Sequence, residues 1–88
     1  MKSYPHIDIV GNKRWFNEDK LLHRDEDDLP AVEWIDGTKS WWINGKRYRK
    51  NGLPAVEYVN GSKYWYDEVG LTVCRYDSYS NRFRSKII

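Results

Sequence analysis

The sequence predicts an all-β protein: an antiparallel meander of three tandem strand-turn-strand repeats, forming a twisted sheet or a small open barrel. Three observations carry that prediction. The block from Pro30 to Trp42 recurs from Pro54 to Tyr66 at a constant offset of 24 residues, and a looser copy runs from Pro5 to Phe16. Each copy holds a turn glycine followed by a tryptophan: Gly11 and Trp15, Gly37 and Trp41, Gly61 and Trp65. Asp36-Gly37, Asn44-Gly45 and Asn60-Gly61 are the dipeptides that two-residue hairpin turns favour, because both central residues need positive φ.

The elements follow in order within one domain spanning residues 1–88. Unit one covers about 5–29, with strands expected at 6–10, 13–17 and 20–24. Unit two covers 30–53, with strands at 31–35, 38–43 and 46–50. Unit three covers 54–76, with strands at 54–59, 62–67 and 71–76. A basic tail or closing strand follows at 77–88, where residues 82–87 alternate. Pro5, Pro30 and Pro54 stand at strand starts, where a missing N–H is tolerated. Pairing through two-residue turns sets Val32 opposite Trp41 and Val56 opposite Trp65, and pairing about Asn44-Gly45 sets Trp41 opposite Tyr48. Three-residue loops at 10–12 and 68–70 keep the same register at the two ends. The expected core is then three rows, Ile7-Trp15-Leu22, Val32-Trp41-Tyr48 and Val56-Trp65-Val73, each on one face of the sheet. Lys13, Lys39 and Lys63 fall across from Ile9, Trp34 and Tyr58, where a lysine stem closes the edge of a core. A two-residue turn at Asn51-Gly52 breaks the row between Tyr48 and Val56, so a bulge or bend is expected between units.

A chain of 88 residues has little area to bury, and five Trp and seven Tyr, part of a 16% aromatic content, supply what a small core needs. No apolar run reaches the roughly 20 residues of a membrane helix, and no apolar signal segment follows Met1-Lys2. The single Cys74 leaves no intramolecular disulfide and suits a reducing, cytoplasmic setting. A formal net charge of +2 does not by itself declare a nucleic-acid partner.

The segments Trp41-Trp42-Ile43-Asn44-Gly45-Lys46 and Asn51-Gly52-Leu53-Pro54-Ala55-Val56-Glu57-Tyr58 resemble the tandem hairpin repeat of small phage and giant-virus proteins. The resemblance covers residues 5–76. Its glycine-and-aromatic hairpins are similar to the MORN repeat without matching it closely. His23-Arg24-Asp25 resembles that repeat's His-Arg-Glu-Asp step, from which Tyr48-Arg49-Lys50 and Cys74-Arg75-Tyr76 depart. The resemblance implies a β-repeat fold and a virus-related origin, and it brings no activity with it.

No constellation for catalysis stands out. The two histidines form no spaced metal pair, Cys74 reads as a small strand thiol, and the glycines occur singly in turns. No catalytic residue, cofactor or metal is therefore assigned. Asp25-Glu26-Asp27-Asp28 reads as a solvated acidic loop, with an acidic contact surface or a divalent-cation site as lesser readings. Charge is nevertheless segregated, because Lys46, Arg47, Arg49 and Lys50 form a basic strand without an acid. Trp42, Tyr64 and Tyr66 fall on the face away from the tryptophan rows, beside Glu33, Arg47 and Glu57. Tyr, Trp and Arg are the residues that anchor interfaces. The candidate binding residues are therefore Trp42, Arg47, Arg49, Lys46, Tyr64 and Tyr66. The expected function is a protein-binding module acting on a host or viral protein, as a monomer or homodimer in the host cytoplasm. A small phage-encoded inhibitor of a host protein or defence system, such as an anti-CRISPR, fits that class. The alternatives are a single-stranded nucleic-acid binder, in which bases stack on the aromatic face, and a self-associating structural repeat protein.

Overall fold

The computed structural model describes residues 2–78 and the backbone of residues 82–85. Ten strands follow one another: β1 (Tyr4–Ile7), β2 (Lys13–Phe16), β3 (Val32–Glu33), β4 (Lys39–Ser40), β5 (Trp42–Ile43), β6 (Lys46–Arg47), β7 (Val56–Glu57), β8 (Lys63–Tyr66), β9 (Thr72–Asp77) and β10 (Arg82–Ser85). Eight of them form one antiparallel sheet in the order β1-β2-β3-β4-β7-β8-β9-β10, and β5-β6 is a separate hairpin. The sheet is open, with β1 and β10 as its edges rather than a closed barrel. The antiparallel all-β meander is as the sequence indicates. The strand expected at 20–24 is instead an arm held by one bridge, Phe16 to Leu22. The strand expected at 38–43 breaks at Trp41, whose N–H donates to Ala55 while Trp42 turns into the hairpin. The expected closing strand pairs Arg82–Ser85 with β9, and residues 79–81 and 86–88 lie outside the described residues.

One loop design sets the register. At five places a residue donates its N–H to the carbonyl four residues on, and accepts from the N–H three residues on. The pairs are Asp8/Asn12, Asn17/Leu21, Trp34/Thr38, Tyr58/Ser62 and Asp67/Leu71. This is the three-residue loop in which a type I turn ends in a left-handed residue. Gly11, Gly37, Gly61 and Gly70 fill that position in four loops, and Lys20 fills it in the fifth at φ 63°. Asp and Asn side chains reinforce the turns: Asp8, Asn17 and Asp67 accept loop N–H groups from the first position, and Asp36 and Asn60 accept from Thr38 and Ser62.

The extra loop residue overturns the expected rows. Val32 pairs with Ser40 and Val56 with Tyr64, not with the tryptophans. A slip of one residue moves a whole strand's side chains to the other face. Val32 and Val56 therefore lie on the face opposite Trp41. In unit one Ile7 pairs with Lys13 and is 59% exposed, and Leu22 bridges Phe16. A bulge between Trp65 and Tyr66 puts Cys74 rather than Val73 beside Trp65. The lysines do not cap aromatic rings: Lys13, Glu33, Lys39, Glu57 and Lys63 form one cross-strand row of alternating charge. Asn51-Gly52 makes a two-residue turn, with both residues at positive φ and the Leu53 N–H directed at the Lys50 carbonyl, and the Asn44-Gly45 turn is of the expected two-residue type as well. There Asn44 and Gly45 both have positive φ, and Tyr48 donates its N–H to the Trp41 carbonyl.

The core is Ala31, Val32, Trp41, Ala55 and Val56. Of the three expected core tryptophans, Trp41 is buried, whereas Trp15 and Trp65 are half-buried. Trp41 belongs to the middle unit and is covered from both sides. Its Nε1 donates to the Asp28 carbonyl at 2.8 Å, and the guanidinium of Arg49 lies 3.7 Å from its ring. Arg49 also donates to the Pro54 carbonyl at 3.2 Å, to Glu57 at 3.1 Å, and to both Asp28 oxygens at 3.0 and 2.8 Å. Unit one repeats the pattern. Arg24 lies 3.8 Å from the Trp15 ring and donates to the Pro30 carbonyl and to Glu33. Trp65 Nε1 donates to the Gly52 carbonyl, as Trp41 does to Asp28.

Three measurements test this account. Trp41→Ala is expected to lose about 3–5 kcal/mol in urea unfolding, the range for a buried tryptophan. Lys20→Gly is expected to stabilise the protein by up to about 1 kcal/mol, because glycine meets no steric cost at positive φ; an unchanged midpoint would show that the Lys20 turn is unstrained. The Asp8 carboxylate accepts from the Asn12 side chain, from Arg14 and from three loop N–H groups. Against the effect of burial, these bonds, led by that from Asn12, hold its pKa at about 2, below the ordinary 3.8. A depressed carboxylate stabilises the fold above its ordinary pKa and loses that contribution as pH falls through about 2. Stability measured from pH 5 down to pH 2 should therefore fall less steeply in Asp8→Asn than in the parent.

Candidate binding face

The register that removes Val32 and Val56 from the tryptophan rows builds a second surface. Across the strands, Arg14, Val32, Ser40, Val56, Tyr64 and Arg75 are successive partners and form one central row. Val32, Ser40 and Val56 are each at most 3% exposed and make its floor. Two residues to either side stand aromatic rungs. Trp34 and Tyr58 occupy equivalent positions in units two and three; so do Trp42 and Tyr66, with Phe16 in unit one.

The side chains of these rungs hold one another. Trp42 Nε1 donates to Ser40 Oγ at 2.7 Å, which fixes the indole beside the floor. Tyr58 and Tyr64 meet edge to face with centroids 5.3 Å apart. Burial raises the pKa of the Tyr58 hydroxyl, Tyr64 and Tyr66 add to that, and Arg47 works against it. Arg47 spans two rungs. Its guanidinium lies 5.0 Å from the Trp42 ring and 5.6 Å from the Tyr66 ring, and its Nη1 donates to the Tyr66 hydroxyl at 3.0 Å. Two shallow depressions result. One, of about 280 Å³, is bounded by Trp34, Thr38, Ser40, Arg47, Val56 and Tyr58. The other, of about 440 Å³, shares Tyr58 and continues past Tyr64 and Ser62 to Arg75.

Of the residues singled out by sequence, Trp42, Arg47, Tyr64 and Tyr66 converge on this face. Lys46 is exposed at the hairpin turn, with its stem against Gly70. Arg49 does not belong to the site: its side chain is 13% exposed and committed to Asp28, Glu57 and Trp41. The bonds to Asp28 and Glu57 outweigh burial and raise the Arg49 pKa, and Arg49 in turn lowers that of Asp28. Glu33 and Glu57, expected beside Trp42, lie on the opposite face with the lysines. The acidic loop divides in the same way, Asp28 bracing Arg49 while Asp25 stands 3.6 Å from His23. Sequence reasoning missed Trp34 and Tyr58, placing them under the lysines. Their 24-residue equivalence was visible, but a register one residue off assigned them to the wrong face.

His23 and Arg24, the step that resembles the viral repeat, are scaffold. His23 is 1% exposed, and its Nδ1 accepts the Asn44 N–H at 2.9 Å. Leu22 accepts from Gly45, and Arg24 donates its N–H to Trp42. The first arm is thereby locked to the second hairpin. Compared with known proteins, the chain matches no family model, no curated sequence and no solved structure. Among the described residues no helix is long and apolar enough to cross a membrane.

Proposed function

We propose that this chain is a non-enzymatic protein-binding module that docks through the Trp42–Arg47–Tyr66 face onto a partner surface carrying carboxylates. Arg47 supports the reading above all. Arg14, Arg24 and Arg49 each meet a carboxylate, whereas Arg47 is held by two aromatic rings and a tyrosine hydroxyl with no acid in ion-pair range among the described residues. A guanidinium fixed on aromatic rings loses little freedom when an anion arrives, and Arg, Trp and Tyr dominate interface hot spots. With the resemblance to viral hairpin repeats, the reading extends to a phage-encoded inhibitor of a host protein or defence system, of the anti-CRISPR kind, acting in the host cytoplasm.

The same rungs favour a second reading, single-stranded nucleic acid stacked on aromatic rings. One comparison separates the two. Immobilised protein is used to capture partners from a bacterial lysate beside the Arg47→Glu and Trp42→Ser variants, with urea midpoints recorded for all three. A protein retained by the parent and lost by both folded variants is the expected result. Capture that survives both substitutions would move the interface elsewhere. Retention of oligothymidylate that falls steeply with added salt would instead favour the nucleic-acid reading.

A further inference from the structure

The end of the sheet that carries loops 8–12, 34–38 and 58–62 is built as one row, in which each loop seats the next. The Ile35 N–H donates to Asn12 Oδ1 at 3.0 Å, and a Cβ placed on Gly11 would lie 3.2 Å from Ile35 Cγ2. In the same way the Val59 N–H donates to Thr38 Oγ1 at 3.3 Å, and Val59 lies over Gly37. Ile9, Ile35 and Val59 hold the same place in their loops and are exposed, Ile9 fully, with Val10 exposed beside it. One residue back from the tips, Trp34 and Tyr58 open two of the loops. One residue further back lies the charged row, with Lys13, Lys39 and Lys63 on alternate strands. The glutamates between them are each held by an arginine, Glu33 by Arg24 and Glu57 by Arg49. Asp8 bonds its own loop and pairs with Arg14, whereas Asp36 is exposed at its tip. Among the described residues no carboxylate lies in ion-pair range of the three lysines.

We infer that this rim docks on an anionic lipid surface, a contact that goes beyond the protein-binding reading and does not rest on it. The order of residue types back from the tips is that of a membrane interface: aliphatic groups first, aromatic rings next, lysines last. At about 3.3 Å per residue these layers span about 7 Å, within the roughly 5–10 Å that interfacial segments occupy. A lysine's long stem lets its ammonium reach the phosphates and carboxylates of the headgroups. The loop-to-loop hydrogen bonds already fix the tips, so little freedom is lost on insertion. The opposite end of the sheet provides the contrast. Leu21, Val69 and Leu71 are exposed there too, but Glu18, Asp19 and Glu68 offset Lys20 and Lys46. That end has no excess of positive charge to hold it on an anionic surface.

The test uses the intact protein and vesicles of two compositions, phosphatidylcholine alone and phosphatidylcholine mixed with phosphatidylserine. In flotation the protein is expected to bind the mixed vesicles at least about tenfold more tightly than the neutral ones. Ile9→Ser/Val10→Ser should weaken that binding about tenfold or more. The urea midpoint should not move, because both side chains are exposed. Lys13→Gln/Lys39→Gln/Lys63→Gln should weaken binding by at least as much, at about fivefold per lysine. Val69→Ser at the other end and Trp42→Ser on the aromatic face should leave it unchanged. Failure to bind the mixed vesicles would overturn the inference and leave the protein-binding reading standing. Equal binding to both vesicle types would overturn it too, as would binding that survives Ile9→Ser/Val10→Ser. If neither vesicle binds and Ile9→Ser/Val10→Ser instead releases a captured lysate protein, the rim is a protein contact and the lipid inference fails.

Discussion

The arginine laid over a tryptophan and tied to the next unit's glutamate is the interaction on which the rest of the molecule depends. Arg49 covers the Trp41 ring, bonds the Pro54 carbonyl and reaches Glu57. Those three groups belong to the middle of one unit and the start of the next. A single side chain thus fixes the angle at which the polypeptide leaves the arm and re-enters the sheet. Arg24 does the same between units one and two with Trp15, Pro30 and Glu33. The recurrent Pro-Ala-Val-Glu block is explained by this brace. Proline offers a carbonyl without a competing N–H, alanine lets the tryptophan approach, and glutamate closes the ion pair. Breaking such a pair leaves a partly buried charge uncompensated, so its loss costs more than its formation contributes.

Each arm of the first two units is braced by the unit that follows, and residues 77–88 bring no further Pro-Ala-Val-Glu block to the third unit. Its last strand, β9, instead runs the full length of β8 and takes the place a following unit's first strand would occupy, and β10 adds to it. At the other edge, β1 is exposed along its length. Its alternation with β2 turns the backbone of Pro5 and Ile7 outward, so the residue without an N–H faces the open side. Proline on an edge strand discourages pairing with a further chain. This placement weighs against self-association through β1.

Much of the architecture was legible because a repeat reports its own period. The offset between Pro30 and Pro54, the turn glycines and the three tryptophans gave the units, the meander and the strand order. The register was not legible from the same signal. Asp36-Gly37 and Asn60-Gly61 suit a two-residue turn, yet the chain makes a three-residue loop with the glycine in the left-handed position that ends a type I turn. Both choices want glycine there, and they differ by one residue, which inverts the faces. The distinguishing mark was the spacing of Asp8 to Gly11, Asn17 to Lys20 and Asp67 to Gly70, where an acceptor side chain precedes the left-handed residue by three. The arginine braces were invisible for another reason, since Arg24 and Arg49 act across units and a basic run reads as surface until its partners are placed.

Comparing equivalent positions also separates what the units share from what one unit adds. Arg24 and Arg49 recur with the same ring, the same carbonyl and the same glutamate, and each is consumed by those contacts. Arg47 stands two residues before Arg49, and its counterpart two residues before Arg24 is Leu22, which bridges to Phe16. Unit two therefore puts a charge where unit one puts an aliphatic side chain, on an arm that the brace already holds in place. The substitution adds no carboxylate contact; it sets a guanidinium against Trp42 and Tyr66 at the wall of a shallow depression. Arg47 thus ties the second hairpin to β8 through Trp42 and Tyr66, and among the described residues no carboxylate lies in ion-pair range of its oriented guanidinium.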